Sequence, residues 1–279
     1  MSPPPLYADA ALARRLERAE AQRLAAYGYG YARLHPDSRA EVLKVAGGFA
    51  CFGEPGLYIN RAAGLGLESP LTEAELQQVE DFYRRHGAPS RVELCPLSAP
   101  SMIELLGRRG YHVVRFFHVH FRPISPADAW APAAPEGVEV VVVGPDEVEL
   151  WVRTVAAGYV SEEGQPPSPL FLMLARLAAN WEGSRLYLAR LRGEVAGAGA
   201  LSVHEGLANF FSAATLPAFR RRGVQPALLN ARLRDAVALG CELATTITAP
   251  DGQSVSNVAR AGFLVGYTRA LLGRELSGP

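Results

Sequence analysis

Lysine is almost missing from this chain: Lys44 is the only one among 28 basic residues. Arginine supplies the rest, which reads as a coding bias and carries no functional signal. Net charge is also missing, because 28 acidic residues balance the 28 basic ones. A neutral chain has no global field to recruit nucleic acid or an anionic membrane. Cysteine is scarce: Cys51, Cys95 and Cys241 are far apart and odd in number. That excludes zinc-type pair spacing and predicts reduced core thiols in a cytoplasmic protein. No apolar run is long enough to span a bilayer, and the N-terminal MSPPPLYADA lacks the basic-then-apolar layout of a secretion signal. His118 and His120 alternate onto one strand face, but with no third ligand nearby no metal is expected.

The chain has 279 residues, 49% of them hydrophobic, which is material for two cores. The Pro- and Ala-rich stretch PISPADAWAPAAPEG, residues 123–137, reads as a linker. The expected division is a first domain over 1–125, a linker over 126–136 and a second domain over 137–279. The two sides share an order of signals. In the first, a helix over 73–86 ends at Gly87. A strand over 91–97, a short helix over 101–109 and a strand over 112–121 opened by Gly110-Tyr111 follow. In the second, a helix over 225–239 ends at Gly240. A strand over 241–248, a helix over 254–261 and a strand over 264–272 opened by Gly262-Phe263 follow. A Glu-Leu pair recurs at Glu93-Leu94 and Glu242-Leu243.

Upstream, residues 9–27 read as a helix capped by Asp9, and 40–53 with 56–67 as a strand pair around a Gly-Glu-Pro-Gly turn. In the second half, a strand over 138–143, helices over 146–159 and 169–180, and three strands over 185–191, 194–203 and 207–215 are expected. Each half is therefore an α/β unit: an antiparallel meander, then a helix crossing to a neighbouring parallel strand.

The most informative stretch is Arg220-Arg221-Arg222-Gly223-Val224-Gln225-Pro226-Ala227. It links the apolar run ending at Pro217 to an amphipathic helix. Backbone N–H groups at such a helix start, with the helix dipole behind them, form an anion site suited to a phosphate or pyrophosphate. Pro226 has no N–H but is tolerated in a first turn. No Gly-x-x-x-x-Gly-Lys-Ser/Thr P-loop occurs, which argues against nucleoside triphosphate chemistry.

From residue 137 onward the chain resembles the GNAT superfamily of acyl-CoA N-acyltransferases. Their motif Arg/Gln-x-x-Gly-x-Gly/Ala corresponds to Arg220 through Gln225, with Gln225 departing at the last position. Pro217, Asn257 and Gly262-Phe263 match the family's flanking residues. The resemblance implies two tandem domains in the α+β class, each a mixed, mostly antiparallel sheet flanked by helices. It implies acetyl-CoA as co-substrate, its pantetheine arm pairing with Ala213, Ala214 and Thr215. Its phosphates would meet Arg220, Arg221, Arg222, Gly223, Val224, Gln225, Pro226 and Ala227, with Asn257 also at the site. The first half lacks the motif. Its equivalent segment carries Glu68, and Thr72 with Glu75 reads as a helix capping box. A degenerate, CoA-free first domain is therefore expected.

The implied reaction is attack of an amine, on a small molecule or a protein, on the thioester. Relatives place a tyrosine as the thiolate's acid where this chain has Val258; Tyr267 is the nearest substitute. Glu162, Glu163 and His204 are candidate bases. A non-catalytic acyl-CoA-binding or regulatory module is the alternative reading, and a homodimer is compatible with either.

Overall fold

The computed structural model describes residues 8–130, 134–160 and 166–276. It is a mixed α/β structure in which most strand pairs are antiparallel and helices cover the sheets, and it divides into two compact units.

The first unit opens with α1 (Ala10–Leu34), whose N-cap Asp9 accepts from the Leu12 amide. The helix outruns the expected stop at Tyr27 because Gly28 lies inside it as a packing residue. A Cβ there would fall 2.5 Å from Val42 Cγ2. The expected long strand over 40–53 is a hairpin, β1 (Glu41–Val45) and β2 (Gly48–Phe52), turned at Ala46-Gly47 with both φ positive. The sheet continues through β3 (Arg61–Ala63), antiparallel to β2, and β4 (Ser90–Leu94), parallel to β3. Helix α2 (Glu73–Arg85) makes that parallel crossover and α3 (Pro100–Arg108) follows β4. Phe82, Tyr83, Leu76 and Leu106 fill this core.

β5 (His112–Pro123) begins in the first unit and ends in the second. The second unit then runs through β6 (Val138–Val142), α4 (Val148–Gly158), α5 (Pro169–Ala179), β7 (Arg185–Leu191), β8 (Glu194–His204), β9 (Leu207–Thr215), α6 (Val224–Ala238), β10 (Leu243–Thr248) and α7 (Gln253–Arg260). β6 to β9 form an antiparallel meander, and β10 lies parallel to β9. One face is filled by Phe210, Leu228, Leu233, Val258 and Phe263.

The last strand, β11 (Leu264–Arg274), departs from the expected division. It pairs antiparallel with β4, Leu272 opposite Val92, and belongs to the first unit. The second unit instead holds residues 120–247 and 251–264, including the end of β5. There Thr245 Oγ1 donates to the His120 carbonyl at 2.8 Å. A cut at 125 or 137 therefore separates neither unit cleanly. Buried charge fixes β11 in its place. Arg269 bonds Glu17 at 2.8 Å and Glu93 at 3.1 Å, and Arg61 bonds Glu93 at 2.6 Å and Glu20 at 2.9 Å, all inside the first unit. All three cysteines are free and buried, as expected.

Candidate functional site

β9 is held along its whole length by β8 but only at its start by β10. The parallel register runs from Leu207↔Leu243 to Asn209↔Thr245 and stops. Residues 210–215 therefore present a backbone edge with no partner in that register. The β8 side carries a bulge: Ala200 faces Phe211 while Ala198 faces Ala214, so β9 has one extra residue there. Ser212 absorbs it with φ +49°. Such a bulge bends the strand and re-aims its peptide groups. Ala213 and Ala214 follow directly, small enough for an extended arm to lie close, and Thr215 Oγ1 is buried with no hydrogen-bond partner among the described residues.

From Thr215 the chain passes through a short 3-10 turn, Pro217–Phe219, into the Arg-Gly motif and α6. Gly223 is the N-cap of α6 at φ +78°, a left-handed conformation that glycine adopts without strain. The position is closed for a second reason: a Cβ there would lie 2.5 Å from Pro135 Cγ. No backbone acceptor among the described residues takes the amides of Arg221, Arg222, Gly223, Val224 or Gln225. Five consecutive amides at a helix start, without a backbone acceptor among the described residues, form the kind of concavity in which anions bind.

The details correct two expectations. α6 begins at Val224, one residue earlier than the sequence pattern suggests, so the Ala227 amide already bonds the Gly223 carbonyl at 3.2 Å. Ala227 is buried and has no free donor to offer. Pro226 sits in the first turn, where its missing N–H costs nothing. Arg220 turns away from the concavity: its Nη2 donates to the Val160 carbonyl at 2.8 Å and the Gly158 carbonyl at 3.2 Å. It ties the end of α4 to the motif. Arg221, at φ +62°, and Arg222, whose guanidinium lies 5.9 Å from the Phe219 ring, are exposed. They remain the side chains available to an anion. Beside them lies a cleft of about 460 Å³ lined by Glu136, Arg192, Glu194, Phe219 and Arg222.

α4 packs hard against the bulge. A Cβ on Gly158 would stand 2.5 Å from Ala214 Cβ and 3.2 Å from the Thr215 nitrogen. The next residue, Tyr159, stacks on Phe171 of α5 at 5.0 Å with the rings nearly parallel, and both are exposed. Trp181 packs on Phe211 at 5.2 Å.

The remaining candidates do not gather here. Tyr267 lies on β11 in the first unit, where its hydroxyl donates to Glu17 at 2.6 Å. Burial, then the neighbouring Glu17 charge, raises its pKa well above the usual phenol range, so it is a structural donor and not the thiolate's acid. Val258 is buried in the apolar cluster. Asn257 is half-buried on α7, and no side-chain bond to it is found among the described residues. His204 stands at the β8–β9 turn, the end of β9 opposite the motif. His118 bonds Thr268 in the first unit at 2.9 Å. Glu162 and Glu163 lie outside the described residues. Among the described residues no group of three His, Cys, Asp or Glu is placed to hold a metal, and no helix is long and apolar enough to cross a membrane.

The equivalent helix start in the first unit is closed. Thr72 Oγ1 accepts from the Glu75 amide at 3.2 Å while Glu75 accepts from the Thr72 amide at 2.9 Å, a complete capping box. Arg18 engages Glu68 in the same loop.

The second unit thus joins a meander, a bulged and half-open strand, and a helix whose first amides follow directly on that strand. Residues 153–263 match the Acetyltransferase (GNAT) family, and the chain carries a GNAT domain. No curated protein sequence matches the chain. Among solved structures, a GCN5-related N-acetyltransferase from Kribbella flavida aligns at 20% identity and TM-score 0.65, covering 92% of this chain and 96% of that one. A GCN5-related N-acetyltransferase from Sphaerobacter thermophilus aligns at 21% and TM-score 0.53, covering 85% and 76%. A tandem GNAT protein from the clavulanic acid biosynthesis pathway aligns at 18% and TM-score 0.58, covering 82% and 74%. At these identities the likeness is one of fold, and it extends well beyond the residues of the family match.

Proposed function

We propose that the second unit is an acetyl-CoA-dependent N-acetyltransferase of the cytoplasm, with the first unit a degenerate, CoA-free relative. The observation that carries this reading is the run of five amides from Arg221 to Gln225 at the start of α6 that have no backbone acceptor among the described residues, following directly on the free edge of β9. A diphosphate on the amides and an amide-bearing arm along residues 213–215 would satisfy both, and the orphaned Thr215 hydroxyl adds a polar partner. Arg221 and Arg222 supply charge to the phosphates.

With the thioester on the bulged edge, a backbone N–H of β9 polarises its carbonyl, as an oxyanion hole does. The acceptor amine approaches beside the exposed Tyr159–Phe171 stack. Its nitrogen forms the new C–N bond, the C–S bond breaks with its electron pair on sulfur, and the amine proton passes to solvent. Holding both reactants side by side supplies much of the rate.

Release of free thiol from acetyl-CoA across a panel of small amines and peptide amines tests the reading. Thiol release with at least one acceptor supports it. Binding of acetyl-CoA with no turnover on any acceptor favours the second reading, a non-catalytic acyl-CoA sensor. That reading draws on one observation: Val258 stands where relatives carry a phenol, and Tyr267 is committed to Glu17.

A further inference from the structure

Arg232, on the third turn of α6, is 1% exposed, yet no carboxylate among the described residues pairs with it. Its Nε donates to the Leu228 carbonyl at 3.0 Å and its Nη1 to the Ala200 carbonyl of β8 at 3.4 Å. Its guanidinium carbon sits 4.8 Å from the Phe210 ring centroid. Nη2 is buried with no acceptor among the described residues. Gly199 makes room for it, since a Cβ there would lie 3.3 Å from that guanidinium carbon. The nearest acid on its own helix, Asp235, is taken by Arg185 at 2.7 Å and by the Tyr187 hydroxyl at 2.7 Å. The other titratable groups that act on Arg232 are the phenols of Tyr187 on β7 and Tyr159 at the end of α4. Burial pulls the guanidinium pKa down to about 10, with those phenols offsetting part of the fall, so the group remains a cation at neutral pH.

An unpaired buried cation is costly, and an apolar side chain of similar volume in its place is often neutral or stabilising. Its position suggests what the cost supports. Ala200 faces Phe211 and Leu201 faces Phe210, so the charge lies at the level where the free edge of β9 begins. From Thr215 back to Phe210 is five residues, about 17 Å at ~3.4 Å per residue of strand, comparable to the length of a pantetheine arm. An arm anchored on the α6 amides would therefore bring its sulfur to the level of Phe210 and Phe211, about two strand spacings, ~10 Å, from β8, whose Ala200 carbonyl the guanidinium bonds.

We infer that Arg232 is a buried charge that supports acyl transfer: its guanidinium, set against β8 and the Phe210 ring of β9, stabilises through the low-dielectric core the thiolate that leaves when the C–S bond breaks. This rests on the acyl-CoA reading of the second unit. The step needs no acid. The amine lone pair forms the C–N bond, the C–S pair stays on sulfur, and the low-dielectric surroundings strengthen the attraction between thiolate and guanidinium. It accounts for a site in which neither Val258 nor Tyr267 offers a proton.

Titration of the thiol of bound CoA, followed by thiolate absorbance in the ultraviolet, tests this in wild type, Arg232→Met and Arg232→Lys. The bound thiol should ionise about one pH unit lower in wild type than in Arg232→Met, with kcat down about tenfold and KM for acetyl-CoA little changed. Arg232→Lys, which keeps the charge, should restore most of the shift. Equal thiol ionisation in wild type and Arg232→Met overturns the inference, as does a lysine variant as impaired as the methionine one. If Arg232→Met does not fold, the wild type alone decides: a bound thiol that ionises no lower than free CoA overturns it. Calorimetry on the wild type separates the two levels of the account, because absence of CoA binding removes the acyl-CoA reading itself.

Discussion

Arg269 of β11 and Glu17 of α1 are 252 residues apart in sequence and 2.8 Å apart in the core of the first unit. Both are almost fully buried, and Tyr267 donates to the same carboxylate oxygen. Burial works against the Arg269 charge, but Glu17, Glu93 and Glu20 outweigh it and hold its pKa well above the ordinary arginine value. The last strand is thus bound into the first unit through a buried ion network that Arg61 shares.

Replacing Arg269 with methionine would leave Glu17 buried with only the Tyr267 hydroxyl as partner and strip Glu93 of one of its two arginines. The expected loss is about 3–5 kcal/mol, read from urea unfolding followed by circular dichroism. A loss below about 1 kcal/mol, the range of an exposed pair, would show the network to be incidental. By the same reasoning, a chain ending at residue 263 should fail to fold its first unit although residues 8–119 are intact.

The pH dependence of that unit follows from Glu20. Burial alone would raise its carboxyl, but Arg23, Arg269 and Arg61 together hold it down to about 2 from an ordinary 4.5. A depressed carboxylate contributes stability that is present above its unfolded value and is lost as pH falls through the folded one. Stability supplied by Glu20 should therefore drain away between about 4.5 and 2. Glu17, raised chiefly by burial with Arg269 only partly offsetting it, runs the other way. Unfolding curves of Glu20→Gln should accordingly be flatter than wild type across that window, and equal slopes would contradict the assignment.

Thr72→Ala removes the capping box at α2. It should cost about 1 kcal/mol of stability and leave acetyl-CoA affinity untouched, because the helix start it closes is not the cofactor site. Weakened binding in that variant would place part of the cofactor in the first unit.

Gly158→Ala forces a methyl group to within 2.5 Å of Ala214 Cβ. Overpacking of this kind costs about 1–3 kcal/mol. Here it should also push the bulge out of position and weaken acetyl-CoA binding, measured by calorimetry. Full affinity with reduced stability would mean that the bulge does not shape the site.

Much of this site was legible because its signals are local. The Arg-Gly turn, the preceding strand and the following helix lie within one short stretch, and Gly223 declares its conformation by having no side chain. What escaped was non-local. Gly28 reads as a helix end until Val42 is seen against it, and Ala46-Gly47 hides a hairpin inside an apolar run. β11 was readable as a strand, but not which sheet would take it, because the carboxylates that hold Arg269 lie far away in sequence at Glu17 and Glu93. Glu93 and Glu242 look equivalent in sequence, yet one is buried in the ion network and the other is exposed. Arg232 likewise sits among Leu228, Leu229, Leu233 and Ala236, a lone charge on an apolar face whose meaning depends on β8 and β9.

The central claim is that the free amides from Arg221 to Gln225 hold the diphosphate of acyl-CoA, and Gln225→Glu tests it most directly. A carboxylate at a helix start is favourable to the helix but opposes a bound diphosphate. Titration calorimetry should show acetyl-CoA binding to the wild type and at least tenfold weaker binding to the variant, at about 1.4 kcal/mol per factor of ten, with an unchanged or higher Tm. Undiminished affinity in Gln225→Glu would contradict the account.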